Sequence, residues 1–167
     1  TGVITSSQAL SMPQVLAGTS FGVDFNPVAD RLRIVSDTDQ NLRVNVATGA
    51  VTVDPALNPG NPNVVAAAYT NIVTTGTTTL YTIDTNTDTL NIQFPANAGT
   101  QVVVGALGVN ATNVAGFDIA DGTGIAFASL TVGGTNSLYR INLATGAASA
   151  IDTIGGGSTA VGGLTAL

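Results

Sequence analysis

The sequence predicts an all-β chain built from repeated four-stranded antiparallel sheets, and three observations carry that prediction. Short runs of aliphatic and β-branched residues alternate with Thr and Asn, the period-2 pattern of half-buried strands. Turn chemistry punctuates those runs, as in Asn26-Pro27, Asp121-Gly122 and Gly133-Gly134. A hairpin phrase also recurs: Asn41-Leu42-Arg43-Val44-Asn45 before Thr48-Gly49, Leu80-Tyr81-Thr82-Ile83-Asp84 before Thr87-Asp88, and Leu138-Tyr139-Arg140-Ile141-Asn142 before Thr145-Gly146. The phrases fall roughly 40 to 60 residues apart, near the period of propeller blades, so the expected architecture is a propeller-like array.

Each strand has its own signal. Ser20 to Phe25 alternates and meets Asn26-Pro27, and Arg31 to Ser36 alternates again before Asp37-Thr38-Asp39, which makes a hairpin. Leu42 to Val46 and Ala50 to Val53 flank Ala47-Thr48-Gly49, where Gly supplies the positive φ of a tight turn. These four strands form a first sheet. Val65 to Asn71, Thr79 to Asp84, Thr89 to Phe94 and Val102 to Ala106 form a second, with Pro95 to Gly99 as a loop before its last strand. The register of this second sheet is open at this stage, because the Leu80-Tyr81 phrase fits a second strand as well as a third. Ala115 to Ile119, Gly124 to Leu130, Leu138 to Leu143 and Ala147 to Thr153 form a third.

The ends carry partial units. Ala160-Val161-Gly162-Gly163-Leu164-Thr165 resembles the first strand of a sheet, like Val114-Ala115-Gly116-Phe117. Thr1-Gly2-Val3 resembles Thr48-Gly49-Ala50 and Thr145-Gly146-Ala147, the start of a last strand, so the two ends are expected to share one unit whose middle strands are missing. Ser6 to Leu16 is expected to be loop or extended, since Pro13 interrupts any helix. The array thus holds about three complete units plus partial terminal strands, in one domain spanning residues 1–167.

Composition excludes several functions. Charged residues make up 8% of the 167, against about 25% in ordinary soluble domains, and Lys, Glu, His, Cys and Trp are absent. A surface so weakly charged resists association poorly. The formal net charge of −6, with Arg31, Arg33, Arg43 and Arg140 the only basic residues, leaves no basic patch for nucleic acid. No apolar run reaches the ~18 residues of a membrane-spanning helix. A chain beginning with Thr is either processed or a piece of something longer, and export to the extracellular space or cell surface is the expectation; the absence of Cys fits either redox compartment.

Phe21-Gly22-Val23-Asp24-Phe25-Asn26-Pro27, Asp30-Arg31-Leu32-Arg33-Ile34-Val35-Ser36 and Gln40-Asn41-Leu42-Arg43 resemble a family of secreted bacterial repeat domains known only as a domain of unknown function. The likeness continues through Ala66-Ala67-Ala68-Tyr69-Thr70-Asn71, Thr79-Leu80-Tyr81, Leu107-Gly108-Val109 and Gly116-Phe117-Asp118-Ile119, nearly the whole chain. It implies a propeller-like fold and export, and no catalytic residue. Members usually have a further unit upstream of the position matching Thr1.

Two polar groupings stand out. Asp24, Asp30, Arg31, Arg33 and Arg43, with Asp37 and Asp39 beside them, gather most of the Arg residues within one predicted sheet. The bidentate fit of Arg to carboxylate suits a network fixing that sheet to its neighbour or a subunit boundary, and also a site for a sugar or an anion. Asp37-Thr38-Asp39-Gln40-Asn41 and Asp84-Thr85-Asn86-Thr87-Asp88 place oxygens at alternate positions, the first half of a calcium loop. Asp37, Asp39, Asn41, Asp84, Asn86 and Asp88 are therefore candidate calcium ligands. Leu42 and Thr89 stand where the loop Gly belongs, and hairpin turns explain the same strings.

Enzyme chemistry is not expected. Ser and Thr lack a His or Lys base, zinc lacks His and Cys ligands, and only paired Asp residues remain for a glycosidase. Gly155-Gly156-Gly157 is a turn without the helix or Lys of a phosphate loop. Asn110-Ala111-Thr112 is the one glycosylation sequon. The expected function is a secreted structural protein that binds itself, completing its sheets with a neighbour's strands into a filament, tube or other polymer. The alternative is a binding module for a glycan or protein, using the Arg/Asp cluster or Tyr69, Tyr81 and Tyr139. Matching hairpin sites place Tyr81 and Tyr139 in packing instead. No cofactor is expected beyond calcium.

Overall fold

A computed structural model describes residues 3–11, 15–70 and 76–166. The expected readings at Thr1, Gly2, Pro13 and Asn71 lie outside those residues. Alternating side chains give twelve strands: β1 (Phe21–Asn26), β2 (Arg31–Ser36), β3 (Asn41–Asn45), β4 (Ala50–Val53), β5 (Val64–Tyr69), β6 (Leu80–Asp84), β7 (Thr89–Gln93), β8 (Gln101–Ala106), β9 (Ala111–Ile119), β10 (Ala126–Val132), β11 (Thr135–Ile141) and β12 (Ala148–Thr153). They pair only with sequence neighbours, as three antiparallel sheets in the orders β1-β2-β3-β4, β5-β6-β7-β8 and β9-β10-β11-β12. The all-β array of four-stranded sheets is thus as the sequence predicts, with three complete units. Among the described residues, no helix is long and apolar enough to cross a membrane.

The recurring phrase marks different places in the units. Asn41–Asn45 and Leu138–Ile141 belong to third strands, whereas Leu80–Asp84 is a second strand. The phrase reports turn chemistry, which second-to-third and third-to-fourth hairpins share, and so it overstates one repeat interval. The Pro95 to Gly99 connection winds into a single 3-10 turn at Ala96–Ala98, closed by Gly99 at φ 72°.

Two seams of opposite character hold the units face to face. Between units 2 and 3, Val65, Ala68, Ile83 and Leu90 pack on Ala115, Phe117, Ala128 and Tyr139, all buried. Each fully buried Leu or Ile there is worth about 1.5 to 3 kcal/mol. Between units 1 and 2 the apolar cluster is smaller, Val35, Leu57, Val64, Ala67, Tyr69 and Leu80, and a polar network flanks it. Tyr69 and Tyr139 are buried, and Tyr81 packs half-buried against the larger cluster.

The first strands of the three units turn inward together. Phe21 to Val23, Ala66 to Ala67 and Ala115 to Phe117 line one space of about 110 Å³, and Gly162 to Leu164 line it too. Segment 160–166 therefore takes an inner-strand place beside β9. It forms no strand, so the first strand expected there is present in position only.

Candidate functional site

Arg33 lies in β2 with 2% of its surface exposed. Its Nη1 donates to Asn41 Oδ1 and to Asp54 Oδ2, each at 2.7 Å, and its Nη2 donates to Asn97 Oδ1 of unit 2 at 2.7 Å. Arg43 grips the same carboxylate bidentately, Nε to Oδ2 at 2.7 Å and Nη2 to Oδ1 at 2.8 Å. Burial opposes the charge on Asp54, yet the two guanidinium groups hold its carboxyl below the usual range. The hydrogen bonds to Asp54 raise Arg43 in turn. Gln93 Nε2 donates to Asn41 Oδ1, Gln101 Nε2 to Gln93 Oε1, and Thr82 Oγ1 to Gln101 Oε1, carrying the network into unit 2.

The remaining cluster residues go elsewhere. Arg31 donates to the carbonyls of Ala29 and Asp30 in its own turn, where Asp30 has φ 51°. Asp24 faces the next unit: its Oδ2 accepts the Tyr69 N–H at 2.6 Å, and its Oδ1 accepts the Phe25 N–H. Burial pushes Asp24 up to about 6, against those two hydrogen bonds and with a smaller push from Asp118.

Most of the two acidic strings is engaged in local structure, whereas Asp39 Oδ1 is buried without a hydrogen-bond partner among the described residues. Asp37 accepts from the Thr19 N–H and hydroxyl, bonds that outweigh burial and keep its carboxyl low. Asp39 sits at φ 66° and is raised by burial and by the charge of Asp84. Asn41 belongs to the Arg33 network. Asp84 Oδ1 accepts from the N–H of Asn63 and of Asn86, and Asp88 Oδ1 accepts from Ala111 N–H. Among the described residues no three acidic side chains gather as a metal cage would require.

Sequence reasoning missed the second member of the Asp24 motif. Asp118 in β9 accepts the Ala166 N–H at 2.6 Å, as Asp24 accepts Tyr69, and Gly116 lies against Gly163 and Leu164 as Gly22 lies against Ala66 and Ala67. Ser129 Oγ adds a bond to the Val161 carbonyl at 2.8 Å while accepting the Gly116 N–H. The signal was in the strings Phe21-Gly22-Val23-Asp24 and Ala115-Gly116-Phe117-Asp118. Beyond these side-chain contacts, 158–166 makes no backbone-to-backbone hydrogen bond among the described residues.

The outer part of the same flank is bare. Register places Asp24, Arg33, Arg43 and Thr52 in one row of unit 1, and Asp118, Phe127, Arg140 and Ser149 in the matching row of unit 3. Asp152, opposite Leu138, takes the place that Asp54 holds beside Asn41. Among the described residues Arg140 and Asp152 form no ion pair. At the other end of the array, Val23, Phe25 and Val53 stand about half exposed on the back face of unit 1. Leu10 of segment 3–11 borders a cleft of about 570 Å³ with Leu32, Val44 and Val46 on that face.

These features define a class: an all-β repeat protein with three finished sheets and the first strand position of a fourth. The chain belongs to the family described as a domain of unknown function, DUF4394, whose model matches residues 1–165. Neither a curated protein nor a solved structure matched the chain.

Proposed function

We propose that the protein is a secreted, non-catalytic bacterial structural protein, propeller-like in architecture, that assembles with copies of itself through strand complementation into an extracellular filament, tube or other polymer. One observation carries the reading. Segment 160–166 is held beside β9 by Asp118 and by Ser129 of β10, yet it makes no backbone-to-backbone hydrogen bond among the described residues. Backbone held beside a sheet with its ladder groups open is a template for a further strand. The weakly charged surface, with its exposed Val and Phe residues, opposes contact with another copy very little. If the contact is head to tail, repetition gives a ring or a filament according to whether the rotation closes.

The test is light scattering with electron microscopy across a dilution series of the native protein. Concentration-dependent assemblies of regular width support the reading. A species that stays monomeric throughout would overturn it in favour of a binding module.

A further inference from the structure

We infer that Asp39 and Asp84 together hold a calcium ion between units 1 and 2. The site is internal to the array and does not depend on self-assembly.

The two acidic strings look like separate half-loops in the sequence, but the fold brings one carboxylate from each to the same seam. Asp37 is engaged with Thr19, Asn41 with Arg33, and Asp88 with the Ala111 N–H. Asp39, in the turn between β2 and β3, differs. Its Oδ1 is buried and has no hydrogen-bond partner among the described residues. Asp84, at the end of β6 and 4% exposed, accepts the Asn63 and Asn86 N–H groups with Oδ1, which leaves Oδ2 with no bond among the described residues. The charge of Asp84 acts on Asp39, so the two carboxylates lie within electrostatic reach across the seam.

The backbone sets this arrangement. Asp39 sits at φ 66°, its N–H donates to the Ser36 carbonyl at 3.2 Å, and its own carbonyl accepts the Leu57 N–H at 3.0 Å. The turn that carries the side chain is thus pinned on both sides.

Like charges in a seam need a counter-charge, because buried charges are paired or coordinate metals. The chain supplies none there. Lys and His are absent, Arg33 and Arg43 are held by Asp54, Arg31 bonds its own turn, and Arg140 belongs to unit 3. With oxygen donors, and no His or Cys in the chain, the site selects a hard cation over zinc or copper. Calcium fits better than magnesium, since two carboxylates from separate units impose no octahedral cage. No third acidic side chain joins them among the described residues, so water and neutral oxygens fill the remaining positions. A site with two carboxylates belongs in the range of extracellular calcium modules, a Kd of about 10⁻⁴ to 10⁻³ M.

Asp39→Asn suits the test, because Asn accepts positive φ as Asp does and keeps the shape while removing the charge. The full chain, stripped of metal with EDTA, is titrated with calcium chloride by calorimetry. Its urea midpoint is also read with and without about 10 mM calcium, against sodium chloride of equal ionic strength. Wild type is expected to bind one calcium per chain and to gain midpoint with calcium beyond any effect of sodium. Asp39→Asn and Asp84→Asn are expected to lose about tenfold or more in affinity, and their midpoints should no longer respond. Without metal, Asp39→Asn should match or exceed the wild-type midpoint, because it removes an uncompensated charge, a result that a merely structural carboxylate would not give. A wild type that gives no calcium heat, or responds no more to calcium than to sodium, overturns the inference. Calcium binding retained in Asp39→Asn places the ion elsewhere and overturns it too.

Discussion

Unit 1 and unit 3 present the same flank to different surroundings. In unit 1 the row Asp24, Arg33, Arg43 is covered by unit 2, and its charges are locked onto Asp54, Asn41, Asn97 and the Tyr69 amide. In unit 3 the row Asp118, Phe127, Arg140 is covered only at its inner end by segment 160–166. The difference teaches that the motif by itself specifies a docking edge, while burial turns the charges behind it into structure. Arg43 with Asp54 is part of the framework; Arg140 with Asp152, in the same register, is solvated surface.

The largest effect should come from Asp54→Ala. Removing the carboxylate leaves Arg33 buried without its counter-charge, and breaking a buried pair costs about 3 to 5 kcal/mol. Urea denaturation measures the loss. Asp152→Ala should change stability by no more than about 0.5 kcal/mol, as surface substitutions do. Equal losses at the two sites would break the comparison.

Gly22→Ala and Gly116→Ala should differ in kind. A Cβ at Gly22 would lie 2.6 Å from the Ala67 nitrogen, and overpacking between two units costs about 1 to 3 kcal/mol in global stability. A Cβ at Gly116 would lie 2.7 Å from the Gly163 carbonyl carbon, in a segment without ladder bonds that can move away, and 2.8 Å from the buried Ser129 Oγ that accepts the Gly116 N–H. Hydrogen exchange should then show faster exchange at Leu164 and Ala166, with the urea midpoint lowered less than in Gly22→Ala because only the Ser129 contact lies within a finished sheet.

The pH dependence sharpens the same contrast. Asp24 is raised from 3.8 to about 6, so the native state holds this proton more tightly than the unfolded chain. Its contribution is fully present below pH 3.8 and is lost as pH rises through 6. Asp54 and Asp37 are lowered, so their contributions are present above the unfolded value and are lost in acid. Wild type should therefore gain stability relative to Asp24→Asn as pH falls from about 7 toward about 4. Both proteins should weaken at lower pH. Denaturation midpoints across that range give the curve, and a constant difference between the two proteins would show that the buried carboxyl is not titrating there.

Arg140→Ala is expected to be the smallest perturbation, within about 0.5 kcal/mol of wild type by the same urea measurement.

Much of the fold was legible because alternation and turn residues are local. Phe21 to Phe25, Arg31 to Ser36 and Ala115 to Ile119 read directly as strands, and Ala160 to Thr165 read as the start of a further unit. Position within a unit was less legible. Leu80-Tyr81 carries the same hairpin chemistry as Leu138-Tyr139 but opens a different turn of the sheet. The site was only half visible: Arg33 and Arg43 stood out by charge, but Asp54 lies beyond β4, and nothing local marks it as their common partner. Gln93 and Gln101 look like surface residues until the fold buries them between units. The cross-unit bond of Asp24 needs the next unit's backbone, which no local pattern contains.

The two seams answer differently to temperature. Burial of apolar side chains loses strength on cooling, and the contact between units 2 and 3 is mainly apolar, with neutral or singly charged bonds such as Asn63 to Asn113 and Ala111 N–H to Asp88 at its edge and, among the described residues, no ion pair. Charged groups are less costly to desolvate when hot, which favours the Arg33–Asp54–Arg43 seam between units 1 and 2. Chilling therefore loosens the molecule first behind β9, the strand on which segment 160–166 rests, while the opposite seam keeps its grip as the protein is warmed.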